Sequence, residues 1–147
     1  MTFQLKKFLA FISGRKVYNK GDEIIELDAI FYRRIYRGDK KYIDKKTGRP
    51  TSRAFTPRPN KDDGKLSVDL SSLITPKNSC GDLLKFTLYS VTLQTINSIE
   101  LKAIYDPVKY IFNNQEITNK AHSYITGFDE DDESKAGTLA RSSKNIL

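Results

Sequence analysis

The chain has one cysteine, one histidine and no tryptophan in its 147 residues. With Cys80 alone, no disulfide can close within the chain and no thiolate cluster can hold a metal. A catalytic thiol needs a base beside it, and Cys80, followed by Gly81, reads instead as a small turn-adjacent residue. His122 alone excludes a metal site built on two imidazoles, and any imidazole acid or base must be this residue. The glycine patterns that cradle phosphate are missing too, since neither G-x-x-x-x-G-K nor G-x-G-x-x-G occurs. No metal and no cofactor are expected. Near the N-terminus Lys6 and Lys7 precede the apolar run Phe8 to Ile12, which is too short for a signal-peptide core or a membrane span. The expectation is a protein without a membrane segment, kept in a reducing cytoplasm.

What is present suffices for one core. Apolar residues make up 38% of the chain, and eight Phe and eight Tyr supply the large side chains. A chain of this size can bury roughly 68–70% of the surface exposed by its unfolded form, so neither staple nor metal is needed. A single domain over 1–147 is expected. The net charge of +7 is unevenly spread. Residues 1–65 carry 17 basic and 8 acidic side chains, whereas residues 66–147 carry 8 and 10. Within 33–65 alone there are 12 basic and 4 acidic side chains, a density that suits either a polyanionic partner or a solvated loop.

Periodicity predicts about five strands with few helices, hence an α+β fold on a mixed or mostly antiparallel sheet. The strands are expected at Ala29–Tyr36, Leu66–Leu70, Lys85–Leu93, Glu100–Tyr105 and His122–Phe128, with a helical turn at Thr95–Ser98. Residues 3–12 suit a short helix or strand. In the first strand Phe31, Arg33 and Ile35 share one face, and Tyr32, Arg34 and Tyr36 the other, so one arginine must lie on the apolar side. Residues 37–65 read as a long basic loop, far beyond the usual connection of about 4–6 residues, with Phe55 as an anchor into the body. Ser134 is placed as the N-cap of a short helix over 134–147 carrying Leu139 and Ile146. The acidic run Asp129 to Glu133 just before it suits the helix dipole, or pairing with the basic loop.

Candidate sites follow from these placements. Arginines on a strand or in a stiff proline-framed loop can offer planar forks to phosphate. The candidates are Arg33, Arg34 and Arg37, then Arg49, Arg53 and Arg58 in the segment Gly48–Pro59. The bland alternative makes Arg33 and Arg34 edge-strand residues, one of them paired with Asp69 or Glu100. Tyr32, Tyr36, Tyr42 and Phe55 are candidates for stacking on bases. For catalysis the candidates are His122 and Ser52, or on paper a set drawn from Ser52 or Ser67 with His122 and Asp69, though no G-x-S-x-G elbow supports one.

The pieces Tyr32-Arg33-Arg34-Ile35, Thr51-Ser52 with Phe55, Leu66-Ser67-Val68-Asp69, Asp106-Pro107 and His122 with Ile125 and Gly127 resemble a group of small bacterial proteins, over residues 30–141. The resemblance implies a bacterial or mobile-element origin and carries no activity with it. A looser likeness, to ADP-ribosyltransferase-like domains with an arginine on an early strand, lacks the glutamate motif that reaction needs.

Two readings result. In one, the chain is a non-enzymatic module whose Arg33–Lys65 stretch contacts nucleic acid, another polyanion or an acidic protein partner. In the other, it is a small enzyme acting on a nucleotide or phosphorylated substrate, with Arg33 or Arg34, Ser52 and His122 around one ligand position.

Overall fold

A computed structural model describes residues 17–130 and 133–147. The stretch 3–12 lies outside them, as do Asp131 and Asp132 of the acidic run. The fold is α+β, as the alternating segments predict. Six strands form one antiparallel sheet in the order β4-β7-β2-β1-β3-β8. They are β1 (Ile30–Tyr36), β2 (Leu66–Leu70), β3 (Phe86–Thr92), β4 (Lys102–Tyr105), β7 (His122–Thr126) and β8 (Lys144–Asn145). A separate hairpin pairs β5 (Val108–Phe112) with β6 (Gln115–Asn119).

The period of two divides the sheet into unlike faces. Phe31 and Ile35 of β1, Leu66, Val68 and Leu70 of β2, Tyr89 and Val91 of β3, and Ala103 and Ile125 on β4 and β7 all point into one core. Helix α3 (Ser134–Ser142) closes that face with Ala136, Leu139 and Ala140, beside a 3-10 turn, Ser52–Phe55, that contributes Ala54 and Phe55. The basic segment is therefore more than a solvated loop. Asp44 accepts from the Lys46 amide at 2.8 Å, Ile43 bridges Pro50, and the chain then dips to bury Phe55 completely. Helix α2 (Leu93–Ser98) leaves β3 directly. Thr92 caps it by accepting from the Thr95 amide at 3.2 Å, and Leu93 and Ile96 are buried.

The opposite face is largely open. Helix α1 (Pro76–Cys80) lies against part of it, with Thr75 as N-cap, Pro76 in its first turn and Gly81 at φ +72° where it ends. Burial raises the pKa of the Cys80 thiol above its ordinary value. Its Sγ lies 3.6 Å from the carbonyl oxygen of Phe86.

Three expectations are corrected. The described residues hold eight strands, not five, because the 108–119 hairpin and β8 escape the periodicity argument. The hairpin turns on Asn113 and Asn114, both at positive φ (50° and 62°), as a two-residue turn requires. The C-terminal helix stops at Ser142, and Ile146 lies beyond it, because the β3 edge offers pairing that continued helix cannot match. Lys144 and Asn145 pair with Ser90 and Tyr89 there. The helix begins at Ser134 as expected, but Glu133 occupies the N-cap position and Ser134 is already helical.

Candidate functional site

The open face carries Tyr32 and Arg34 of β1, Ser67 and Asp69 of β2, and His122 of β7, all lining one cleft of about 940 Å³. Its walls come from three directions. The hairpin supplies Tyr110 and Ile117 to Asn119, α1 and the turn before it supply Leu73, Ile74, Asn78 and Ser79, and the basic segment supplies Tyr42, Arg53, Arg58 and Asp62. Asp69 clasps two of these walls to the sheet, accepting from Ser79 Oγ at 2.7 Å and from Asn119 Nδ2 at 2.9 Å.

A break in the sheet shapes the cleft. β1 and β2 share only the pairs Phe31–Leu70 and Tyr32–Asp69, and their ladder stops there. Arg33, the arginine placed on the apolar face by alternation, fills the gap. Its Nε donates to the Ala54 carbonyl and its Nη1 to the Ser67 carbonyl, both at 3.0 Å. One side chain thus ties β1 to β2 and to the basic segment. Burial lowers the Arg33 guanidinium to about 10, with Arg58 and Arg34 pushing the same way and the Asp62 carboxylate opposing them.

The other arginines divide into two groups. Arg34, Arg53 and Arg58 line the cleft with Arg33. The exposed Arg34 guanidinium sits 4.4 Å from the centre of the Phe86 ring. Arg58 is paired with Asp62, Nη2 to Oδ1 at 2.9 Å, which holds the Asp62 carboxyl below the usual carboxylate range. Arg37 and Arg49 are outside the cleft. Arg37 donates to the Phe86 carbonyl at 2.8 Å. Arg49 Nη2 contacts the carbonyls of Ala140, Arg141 and Ser143 at 3.0–3.3 Å, a cation on the C-terminus of α3.

Among the described residues, five basic side chains (Arg33, Arg34, Arg53, Arg58 and Lys120) face two carboxylates, Asp62 and Asp69, in the cleft. Both carboxylates are already hydrogen-bonded, to Arg58 in one case and to Ser79 and Asn119 in the other. The potential is therefore positive. Neither arginine pairs as the bland alternative has it: Arg33 bonds carbonyls and Arg34 rests on a ring. Among the stacking candidates, Tyr32 and Tyr42 line the cleft half-buried, and Tyr36 lines it exposed, edge-on to Phe86 at 6.1 Å. Phe55 is withdrawn from that role, because its ring is wholly in the core and offers no face to a ligand.

The catalytic candidates also separate. Ser52 Oγ lies 3.4 Å from Glu133 beside α3 and is not part of the cleft lining. His122 is in the cleft, and its serine partner is Ser67, with Nε2 to Oγ at 3.2 Å. The ring's other nitrogen, Nδ1, faces Asp106, 2.7 Å from the backbone carbonyl and 3.5 Å from Oδ2. Asp69, the carboxylate in the paper set, is the register partner of His122, but its oxygens are held by Ser79 and Asn119. The residue missed by sequence reasoning is Asp106, sixteen residues before the histidine and brought to it by the hairpin. Asp106-Pro107 stands in the sequence as a strand stop, with nothing to tie it to His122.

No protein-family model, no curated protein and no solved structure matches this chain. Among the described residues, no helix is long and apolar enough to cross a membrane.

Proposed function

We propose that this protein is a small basic binding module that takes the backbone of single-stranded nucleic acid into the cleft over the open face of its sheet. The observation carrying this reading is the imbalance of five cationic side chains, one of them Arg58 paired with Asp62, against two carboxylates. Phosphate neutralisation by such groups supplies affinity through counterion release. Tyr32, Tyr36 and the Arg34–Phe86 pair border the same space, and base faces can stack on rings of this kind at about 1–3 kcal/mol each. Lys65, 4.8 Å from the centre of the Tyr124 ring, adds charge to the strand pair β2–β7. We place such a module in the cytoplasm, where its ligand and a reduced Cys80 would both be found.

The test is fluorescence anisotropy of a labelled single-stranded oligonucleotide across a salt series. Affinity should fall steeply as salt rises. Arg34→Ala and Lys120→Ala should each flatten the logarithmic slope by about 0.7, the value for one phosphate contact on a single strand. Affinity that ignores salt would remove the reading. Binding to a poly-glutamate peptide in place of the oligonucleotide would transfer the cleft to an acidic protein partner.

A further inference from the structure

We infer that Ser67 and His122 form a nucleophile–base pair that hydrolyses phosphodiester bonds. The inference relies on the proposed nucleic-acid reading for its choice of substrate, and on the local hydrogen bonds for its chemistry.

The protonation of the ring follows from its partners. The Asp106 backbone carbonyl, 2.7 Å from Nδ1, can only accept, so Nδ1 must carry the proton. Nε2 then presents its lone pair to Ser67, whose hydroxyl donates to it across 3.2 Å. A base oriented from behind and aimed at an accessible hydroxyl is the arrangement that activates a serine. Asp106 Oδ2, 3.5 Å from Nδ1, stands where positive charge would develop on the ring. The bland role for the same histidine is a local strand-start contact, which requires no exposed hydroxyl in a cationic cleft. Here Ser67 is exposed, its own carbonyl is held by Arg33, and Arg34 lies on the same sheet face. Rigid strands on either side position both members, since Ser67 pairs with Tyr124 and Asp69 with His122.

The chemistry balances without an added reactant other than water. Ser67 Oγ bonds to phosphorus while its proton passes to His122 Nε2. The bond from phosphorus to the leaving oxygen breaks, its electron pair stays on that oxygen, and Nε2 returns the proton to it. Water then attacks phosphorus in the resulting seryl phosphodiester, giving a proton to Nε2. The phosphorus–Oγ bond breaks, and Ser67 recovers the proton. The products are an alcohol and a phosphomonoester, with Arg34 stabilising the charge on the equatorial oxygens in both steps.

Bis(p-nitrophenyl) phosphate and a labelled oligonucleotide are the probes, used with the full chain. The wild type should release p-nitrophenolate and shorten the oligonucleotide, and intact-mass analysis of quenched reactions should find a phosphoryl adduct on Ser67. Ser67→Ala, an exposed change that leaves the core alone, should lower turnover on the order of 100-fold or more, and His122→Gln likewise. Asp106→Asn keeps the backbone carbonyl and should cost much less in kcat. Turnover in Ser67→Ala equal to that of the wild type overturns the inference. Salt-sensitive oligonucleotide binding without turnover of either probe overturns it too, while leaving the binding reading standing. Turnover of the small diester without oligonucleotide binding supports the nucleophile–base pair and removes the nucleic-acid reading.

Discussion

The two faces of the six-stranded sheet are built from the same strands and do opposite work. On the inner face, β1 and β2 place Phe31, Ile35, Leu66, Val68 and Leu70 under α3 and the Ser52–Phe55 turn. On the outer face the intervening residues, Tyr32, Arg34, Ser67 and Asp69, line an open cationic cleft. A shift of one residue in register would exchange the two sets, so the apolar positions that stabilise the fold also fix where the polar ones point. Arg33 is the exception. It is a cation on the inner side, and it is tolerated because the sheet splits beside it and two carbonyls accept its protons.

Substitutions can break that division, and the largest effect belongs to the inner face. Phe55→Ala should destabilise the protein by about 3–5 kcal/mol, the cost of a cavity where a large buried ring has been removed. Urea unfolding measures it, and a loss below about 1 kcal/mol would mean that the basic segment does not seal the core. Next comes Arg33→Ala, which leaves the Ala54 and Ser67 carbonyls without their charged donor, at a cost of roughly 1.5–3 kcal/mol. Oligonucleotide binding should weaken in the same variant, whereas Phe55→Ala should act only through the folded fraction.

Smaller effects sharpen the contrast between the arginines. Arg49→Ala should lose about 1 kcal/mol of stability with the α3 carbonyl contacts and leave oligonucleotide affinity untouched. Arg34→Ala should do the reverse, within about 0.5 kcal/mol of wild-type stability but weaker in binding. If both variants shifted binding equally, the separation of cleft from core-side arginines would be wrong. The smallest effect is on acid stability. Asp62 has a depressed folded pKa because Arg58 hydrogen-bonds its charged form, so its contribution is present above the ordinary value near 3.9 and is lost as pH falls through the folded value. Asp62→Asn should therefore lower the melting temperature slightly at neutral pH and by less in acid, once pH has fallen through the folded value, as read by thermal melts at both.

The strands β1, β2, β3, β4 and β7 are legible in the chain because alternation of apolar and polar residues is a local property. The anchor at Phe55 is legible for the same reason, as a large ring alone among charges. The β5–β6 hairpin is less so, since Tyr110, Ile111 and Phe112 are consecutive apolar residues that remain largely exposed. The pair Asn113-Asn114 was the available signal, residues that accept positive φ at low cost. β8 has two residues and no periodicity to read. In the site, the cationic bias was visible as twelve basic residues in 33–65, yet its division was not, because Arg49 meets α3 across more than ninety positions of chain.

Sequence by itself determined the fold class, the two faces of the first strand, and the concentration of positive charge in the first half. Tertiary structure decided which arginines face the cleft, and that Ser67 and Asp106, not Ser52 and Asp69, flank His122. The physical reason is range. Alternation and charge density act between near neighbours along the chain, whereas a hydrogen bond between β2 and β7, or from a loop to a distant helix end, exists only once the sheet has closed and the ladder beside Arg33 has broken off.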